Sequence, residues 1–405
     1  MDFNHTDKVL DLMDQLNAFM DKHVYPNEEA YTEHFKSTDN KWVSPPLMQE
    51  LKNKAKDAGL WNLFLPESER GAGLSNLEYA PLAEIMGRVF WASEVFNCNA
   101  PDTGNMEVLD RYGSEEQKEQ WLKPLLAGEI RSAFGMTEPG VASSDATNME
   151  ATAVLDGDEY VINGEKWWTS GAGDPRCKII IFMCVTDQDP DSPRHKRHSQ
   201  ILVPTDSKGI ETRKMMEVFG WDDAPHGHAH LKFTDVRVPK SNMILGEGRG
   251  FEIAQGRLGP GRIHHCMRWV GECERMFDMM CNRALTRELA PNKPLATKQT
   301  IQNWIAESRA EINASRLMVL DTAKKIDEYG ANSAKVEIST IKFYVANVLQ
   351  NVLDRVLQVH GALGMTDDTP IALLYRHERA ARIYDGADEV HKVRVAREIL
   401  KSYSK

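Results

Sequence analysis

The segment RIYDGADEVHK, residues 382–392, places a carboxylate at a glycine break between two helical patterns. A carboxylate that is partly shielded from water can act as a general base, because burial disfavours its charged form. Asp385 is therefore a candidate catalytic residue. Asp-Gly is also a common turn pair, so Asp385 could instead cap a helix that begins near Ala387, with Asp388 at the third helical position. The residues of this segment alone favour the cap.

A second candidate site combines hydroxyl groups, glycines and indole rings. The segment FGMTEPGVASSDATNMEATAV begins at Phe134 and gathers hydroxyl and backbone donors, and KWWTSG follows at Lys166. A flavin ring needs hydrogen-bond donors at its carbonyl and N5 edges and flat apolar cover on its face. Trp167 or Trp168 could supply this cover. Adjacent Trp residues in a strand point to opposite faces and more often belong to a core, so both interpretations stay open.

Two other kinds of site are not supported by the sequence. The glycines of LGEGRGF, residues 245–251, lack the spacing of a dinucleotide-binding loop, and no βαβ unit surrounds them. We therefore predict only a tight turn that leads into a long helix. The adjacent His264, His265 and Cys266 diverge on a helix, so we predict no metal site.

The composition is typical of a globular protein with two or three packed subdomains, since 405 residues exceed what one core usually serves. The formal net charge of -11 argues against a general nucleic-acid surface. The basic run RHKRH, residues 194–198, is better explained as a solvated loop than as a phosphate contact. The six cysteines form no CxxC pair and are expected to be reduced and buried.

The sequence gives no indication of a membrane or secretion signal. No run of about 18 apolar residues occurs, as a transmembrane helix would require. The start, MDFNHTDKVL, lacks a basic segment followed by an apolar one. We expect a soluble, cytoplasmic protein without membrane or nucleic-acid partners, although the sequence does not decide between cytosol and organelle.

Residues 1–130 carry helical patterns. The apolar residues of segment 9–20 follow one another at spacings of four, three and four, which places them on one helix face. Ser114 and Gln117 form a capping-box signature, and Gly128 is a plausible helix terminator. We predict an N-terminal helical domain.

Short strands and turns dominate residues 131–245. The pairs Asp156-Gly157 and Asn163-Gly164 are strong hairpin signals between segments rich in Val, Ile, Tyr and Trp. The segments KIIIFMCVT, QILVPTD and HAHLKFTDVRVP extend the pattern. We predict a central antiparallel β domain.

Long helical patterns return in residues 246–405, over 251–289, 297–329, 333–360 and 387–405. No strand alternates with these helices, so a parallel sheet is not supported. The predicted fold class is α+β with mostly α structure, in the order helical, β, helical.

Motifs throughout the chain resemble those of the flavin-dependent acyl-CoA dehydrogenases. MTEPGVASSD, NGEKWWTSG, VRVPKSNMILGEGRGF, QVHGALGM and IYDG occur in that family's order and spacing. EPGVASSDATN, WWTSGAG, GRLGPGRIHHCMR and DGADEVH are more similar to the branch whose mammalian members carry an aminoglycoside-phosphotransferase-like domain ahead of the dehydrogenase, a domain not found in these residues. The resemblance implies the acyl-CoA dehydrogenase fold, with an N-terminal helical domain, a central β domain and a C-terminal four-helix bundle, and FAD as cofactor.

The resemblance also implies which residues contact FAD and substrate. Thr137 should lie near the flavin N5 and O4 edge, and Trp168 and Ser170 should flank the ring. The remaining expected flavin contacts are Phe134, Met136, Ser144, Ala387, Asp388 and Glu389. The expected acyl-CoA contacts are Ser144, Arg262 and Gly386. For Arg262 the alternative is a cation on a helix surface, and Asp388 and Glu389 could be ordinary solvent-facing acids in a first helical turn.

In this family the adenine end of FAD reaches a neighbouring subunit, which implies a homodimer or homotetramer. The positions expected to make these contacts are Arg287, Gln299, Gln358 and Gly361. The family's Arg-x-x-Phe-Gly motif appears here as RELAP, which retains Arg287 but loses the aromatic residue. A surface ion pair is an equally good interpretation of Arg287.

With the motifs aligned, Asp385 stands where the family places the base that removes the α-proton of an acyl-CoA. Most relatives use Glu there and the phosphotransferase-linked branch uses Asp, so the resemblance favours catalysis over the cap. The implied reaction, a step of fatty-acid β-oxidation, forms a trans-2-enoyl-CoA and passes electrons through FAD to electron-transferring flavoprotein. The alternatives are an acyl-CoA oxidase, a nitroalkane-oxidase-like enzyme, which also uses an Asp base, and a non-catalytic scaffold of the same fold.

Overall fold

The computed structural model describes residues 4–65 and 68–404. The chain forms two compact units. The terminal unit comprises the described residues of 1–27, 55–96 and 259–405, and the central unit comprises residues 28–54 and 97–258. Residues 258–260 belong to a helix, but their side chains lie outside the description. The three predicted domains, 1–130, 131–245 and 246–405, stay a prediction.

Helices make up most of the chain before residue 127. They are α1 Asp7–Phe19, α2 Glu28–Ser37, α3 Pro46–Asp57, α4 Asn76–Gly87, α5 Ala92–Val95, α6 Asp102–Tyr112, α7 Glu115–Gln117 and α8 Lys123–Leu126. The capping box of Ser114 and Gln117 is confirmed at the start of α7, because each side chain bonds the other residue's backbone N–H. The predicted apolar face of the first helix is also confirmed, since Val9, Leu16 and Met20 are buried.

The central unit contains a seven-stranded sheet. Its strands are β1 Arg131–Gly135, β2 Thr152–Asp156, β3 Glu159–Ser170, β4 Cys177–Val185, β5 His198–Pro204, β6 Ile210–Met215 and β7 His228–Pro239. The strand order is β1-β4-β2-β3-β7-β6, and β5 pairs with β4. Strands β2·β3, β3·β7, β4·β5 and β6·β7 pair antiparallel, as predicted, whereas β1·β4 and β2·β4 pair parallel. Strand β1 pairs with residues 177–182 of β4, and β2 meets β4 further along, through the pair Thr152–Val185.

One of the two predicted hairpin turns is present. Asp156 pairs with Glu159 across a two-residue turn between β2 and β3, so this hairpin is confirmed. The Asn163-Gly164 turn was wrong, because both residues lie inside β3, where the pairing with β7 shifts register. At Gly164 φ is +141°, and an added Cβ would lie 2.5 Å from the Ala151 Cβ. A bulge and a close approach of the chain therefore require this glycine.

The second half of the chain is helical, with the small hairpin β8 Glu288–Ala290 and β9 Lys293–Pro294. The helices are α9 Gly250–Thr286, α10 Gln299–Tyr329, α11 Lys335–His360, α12 Pro370–Glu378 and α13 Asp388–Tyr403. The four long helical patterns are confirmed to within a few residues. The glycines of LGEGRGF form the predicted turn into α9.

No disulfide joins the six cysteines, all of which lie in the described residues, and five of them are buried. No helix in the described ranges combines the length and apolar character of a bilayer-spanning segment.

Candidate active site

Asp385 lies in the terminal unit, on the loop between the short turn Arg379–Arg382 and α13. Its φ is +52°, which is uncommon for a residue with a side chain, and the side chain is 21% exposed. The cap interpretation was wrong, because α13 begins at Asp388 and its N-cap is Ala387, without a side-chain cap bond. Strained backbone often marks a functional position, so the catalytic interpretation of Asp385 gains support.

Three basic side chains fix the backbone of this loop. The Arg262 Nε donates to the Asp385 carbonyl at 2.9 Å. The buried Lys342 Nζ donates to the carbonyls of Ala381 at 2.7 Å and Gly386 at 3.1 Å. The His391 Nε2 lies 3.1 Å from the Asp385 carbonyl oxygen.

The charges of these three groups differ. Burial lowers the pKa of Arg262 and of Lys342, and the negative charge of Asp385 acts in the opposite direction on both. The pKa of His391 falls to about 4, chiefly because of burial and then because of the nearby Arg262 and Lys342. His391 is therefore neutral near pH 7.

The residues that follow Asp385 have different environments. Gly386 adopts φ +101°, and an added Cβ would lie 2.8 Å from the His391 Nε2. Asp388 is buried, and its carboxylate accepts from Arg382 Nε at 2.8 Å and Asn347 Nδ2 at 2.9 Å, so it is not a solvent-facing acid. Glu389 is exposed.

A histidine contacts the Asp385 carboxylate directly. The His265 Nε2 lies 3.3 Å from the Asp385 Oδ2, and Arg268 Nη2 lies 2.8 Å from the His265 Nδ1. The imidazole packs between Trp269 and Tyr384, at ring-centroid distances of 5.7 and 4.9 Å. Burial lowers the pKa of His265, Asp385 opposes this shift, and Arg268 adds to it.

The central unit contains the second candidate site, after strand β1. The Thr137 hydroxyl donates to the Trp167 carbonyl at 2.8 Å, and the Trp167 N–H donates back to the Thr137 carbonyl at 3.0 Å. The buried Lys166 Nζ donates to the Glu138 carboxylate at 2.7 Å and to the Met136 carbonyl at 2.9 Å. The segment after β1 is therefore tied to strand β3.

The carboxylate of Glu138 fixes the same segment from the other side. It accepts the backbone N–H groups of Glu150 at 2.7 Å and Ala151 at 3.1 Å. Burial lowers the pKa of Lys166, while Glu138 raises it. Removing either partner would leave an uncompensated buried charge.

Trp168 occupies a bulge of β3. Its φ is +52°, the pairing with β7 shifts between Lys166 and Thr169, and the residue is 40% exposed. Of the two interpretations left open for the adjacent Trp residues, the core does not apply to Trp168, because the bulge turns it to the surface. Two residues later, the Ser170 Oγ lies 2.8 Å from the His228 Nδ1. The other ring nitrogen of His228 lies 3.3 Å from the buried Asp223 carboxylate.

The other predicted flavin contacts of the central unit flank this segment. Phe134 is half-buried at the end of β1, where the Arg257 guanidinium lies 4.1 Å from its ring centroid. Met136 is half-buried, and Ser144 is exposed.

The four positions predicted to reach a neighbouring subunit are exposed in the terminal unit. Arg287 follows α9, Gln299 is the first residue of α10, Gln358 lies in the last turn of α11, and Gly361 follows that helix. Exposure is compatible with a subunit contact and also with an ordinary surface.

Sequence reasoning missed four residues that shape the two sites. Lys342 and His265 hold the Asp385 loop and carboxylate, and Lys166 with Glu138 holds the segment after β1. A signal was present for His265, because residues 262, 265 and 269 share one helix face. No sequence signal distinguished Lys342, because a lysine within a helical pattern is usually exposed, and nothing in the pattern marked this one as buried.

The chain belongs to the acyl-CoA dehydrogenase family. Residues 6–129 match the N-terminal domain of this family, residues 133–236 its middle domain and residues 248–400 its C-terminal domain. Together with the fold, these matches confirm the predicted family and the predicted acyl-CoA dehydrogenase fold.

Individual relatives agree with this assignment. A solved structure from Mycobacterium abscessus, described as a candidate acyl-CoA dehydrogenase, has a TM-score of 0.96 at 50% identity and covers 99% of this chain and 100% of that chain. FadE2 of Mycobacterium tuberculosis, described as a probable acyl-CoA dehydrogenase, is 50% identical over 402 residues, which are 98% of this chain and 96% of the relative.

Mouse acyl-CoA dehydrogenase family member 10 is 52% identical over 399 residues, which are 97% of this chain and 37% of the relative. The chain thus spans about half or less of the vertebrate relatives that it matches.

The residues of the central unit fit FAD, the cofactor of this family. The indole of Trp168 is exposed at a strained bulge, where it offers a flat apolar face instead of filling the core. Thr137 and Ser170 place hydroxyl groups on the chain segments next to this indole. The combination matches the apolar cover and polar edge that a flavin ring requires.

Proposed function

We propose that this protein removes the α-proton and β-hydride of an acyl-CoA thioester and forms a trans-2-enoyl-CoA, with Asp385 as the α-proton base. The geometry of Asp385 is the observation that supports this most strongly. Its carboxylate is partly exposed at a strained backbone position, and Arg262, Lys342 and His391 hold the surrounding loop. A general base requires both restricted motion and access to substrate.

FAD, when bound, supplies the N5 atom that accepts the β-hydride. The residues proposed to hold its ring are Phe134, Met136, Thr137, Ser144, Trp168 and Ser170, with further contacts from Ala387, Asp388 and Glu389. For Asp388 this contact would be made by its backbone at the start of α13, because its buried carboxylate already accepts hydrogen bonds from Arg382 and Asn347.

Asp385 takes the α-proton onto its carboxylate in this mechanism. Arg262 and Gly386 are the proposed substrate contacts beside it, together with Ser144. Because the Arg262 Nε is already used by the Asp385 carbonyl, its remaining N–H groups are the ones available to an acyl-CoA. Lys342 keeps the loop in place through two carbonyl groups, so the carboxylate does not have to be ordered at each turnover.

The length of the base suggests a substrate class. Asp is one methylene, roughly 1.5 Å, shorter than Glu, so the backbone or the substrate must approach more closely. The vacated space would admit a branch or a hydroxyl on the acyl chain. A panel of acyl-CoA substrates tests this hypothesis, and a preference for unbranched, unsubstituted chains would reject it.

The experiment that tests the reaction follows the flavin absorbance of the FAD-loaded protein without oxygen. We expect acyl-CoA thioesters to bleach the flavin, because they donate the hydride, and nitroalkanes to leave it unchanged. Bleaching by a nitroalkane alone would favour a nitroalkane oxidase. A protein that binds FAD but is bleached by neither compound would support a non-catalytic scaffold and contradict the proposal.

The electron acceptor and the assembly are proposed from the family. Electron-transferring flavoprotein should reoxidise the reduced enzyme faster than oxygen does, whereas fast reoxidation by oxygen would indicate an acyl-CoA oxidase. We propose a homodimer or homotetramer in which Arg287, Gln299, Gln358 and Gly361 contact FAD of a neighbouring subunit. All four are exposed, as this requires.

A further inference from the structure

We propose that His265 is a positioning residue for Asp385, and that it acts as a neutral imidazole with its proton on Nε2. The proposal rests on the proposed role of Asp385 as the base. The His265 Nε2 lies 3.3 Å from the Asp385 Oδ2, so a hydrogen on this nitrogen points at the carboxylate.

The tautomer follows from the partner on the other side of the ring. Arg268 Nη2 lies 2.8 Å from the His265 Nδ1. A guanidinium group only donates hydrogen bonds and remains charged, so the Nδ1 atom must accept. A neutral imidazole carries one N–H, and this N–H must therefore be on Nε2, where it donates to Asp385.

The same contacts exclude His265 as the final proton acceptor. A second proton would have to be placed on Nδ1, against the guanidinium of Arg268. Burial also disfavours the charged imidazole. The proton removed from the substrate therefore stays on Asp385 while the product forms, and His265 orients the carboxylate without taking the proton.

The ring of His265 is itself fixed by its neighbours. It stacks on Trp269 with an interplanar angle of 22°, and the Trp269 Nε1 donates to Glu378 at 3.0 Å. Tyr384 covers another side of the ring. His265 can therefore restrict the rotamers of a short acid, since its own position is set by packing against Trp269 and Tyr384.

Other ionisable groups lie around His265 and Asp385. The His265 variants leave these groups unchanged, so a difference between pH profiles reports on position 265. Arg262, Cys266 and Arg268 lie on α9, Lys342 lies on α11, and Tyr384, Asp388, His391 and Arg394 lie near or on α13. Glu272 and Glu378 face Tyr384. The pKa of Cys266 is raised to about 12 by burial and that of His391 lowered to about 4, so both are neutral in the range of the assay.

The test compares two amides that differ by one methylene. In His265→Gln the amide can reach both Arg268 and Asp385, whereas in His265→Asn it falls short of Asp385. Because a donor stabilises the charged carboxylate, its loss should move the acid limb of the kcat/KM profile to higher pH, by about one unit. Loss of orientation should also lower kcat of His265→Asn about tenfold or more below that of His265→Gln.

The outcomes separate this proposal from the proposed function. FAD absorbance first confirms that both variants are folded and loaded. Equal kcat and equal acid limbs in His265→Asn and wild type would overturn the role of His265, provided that Asp385→Asn is inactive. If Asp385→Asn turns over like wild type, the proposed base is wrong, whatever the His265 variants do. If His265→Gln behaves like His265→Asn, the donor is not what matters, and the proposal also fails.

Discussion

At the scale of single residues, the site depends on a backbone conformation that most side chains do not adopt. Asp385 and Gly386 both have positive φ, and the added Cβ of any residue at 386 would collide with His391. A side chain at 386 would therefore require His391 or the backbone beside Asp385 to shift. The Asp-Gly pair thus forms the turn and also carries the proposed base.

Replacing Gly386 by Ala should reduce both activity and stability. The φ of +101° and the 2.8 Å approach to the His391 Nε2 act together, so we expect a loss of about 2–4 kcal/mol in the free energy of unfolding. Activity should fall at least about tenfold, because the carboxylate is displaced. Urea denaturation and single-turnover flavin reduction measure the two effects.

Gly330→Ala is the matched control, because Gly330 also has a positive φ, +78°, but no atom lies within 4 Å of the added Cβ. It should lose about 1–3 kcal/mol of stability through backbone strain alone and keep its activity. Equal effects of the two substitutions on flavin reduction would show that the geometry of the Asp385 loop is not required.

The sequence identified Asp385 as a candidate but did not decide its role. Turn propensity favoured a cap, and the resemblance to a family favoured a base; the structure shows that α13 is capped without it. His265 was considered only as one of three diverging neighbours. Its contact with Asp385 and its tautomer depend on Arg268, Trp269 and Tyr384, whose mutual distances no sequence pattern contains.

At the scale of elements, long helices carry the Asp385 loop, and ion pairs join these helices. Arg316 of α10 donates to the Glu84 carboxylate of α4 through Nε at 2.9 Å and through Nη2 at 2.7 Å, and it also pairs with Glu274 of α9. The three side chains are between 13% and 29% exposed. The guanidinium therefore links three helices of the terminal unit in a partly shielded environment.

Substitution of Arg316 by Met should lower the free energy of unfolding by about 1–3 kcal/mol, because two carboxylates lose charge-assisted bonds. Arg237→Met provides the comparison. Arg237 also binds two acids, Glu159 and Asp156, but its side chain is 46% exposed, so solvent screens both pairs and its loss should destabilise the protein less than the loss of Arg316. If Arg237→Met proves as destabilising as Arg316→Met in urea, shielding does not determine the strength of these pairs.

The sequence predicted which segments are helices and strands, but it did not predict the bulges within the strands. Helical periodicity located α9, α10, α11 and α13 to within a few residues, since amphipathic patterns depend on local sequence. The Asn163-Gly164 signal failed because the glycine is required by the approach of Ala151, a tertiary contact. Likewise, the bulge that exposes Trp168 is invisible to an alternation rule that assumes regular strands.

At the scale of the whole molecule, the net charge does not predict which charged side chains lie near Asp385. The chain carries a formal charge of -11, yet Arg262 and Lys342 bond the backbone of the Asp385 loop, and Arg268 bonds the histidine that contacts its carboxylate. Composition excluded a broad basic surface but could not locate these cations, because they converge from two helices far apart in sequence. The order of helical, β and helical segments was readable, and the family matches follow that order.

The measurement that tests the central claim most directly is α-proton exchange in D2O. The FAD-loaded protein is incubated with a 3-thiaacyl-CoA, whose sulfur at the β position carries no hydride, so that only proton removal can occur. Loss of the α-proton signal is followed by NMR for wild type and for Asp385→Asn, which keeps the size of the side chain but lacks a base. We predict exchange by wild type and at least about 10²-fold slower exchange by the variant. Exchange by Asp385→Asn at the wild-type rate would contradict the assignment of Asp385 as the base.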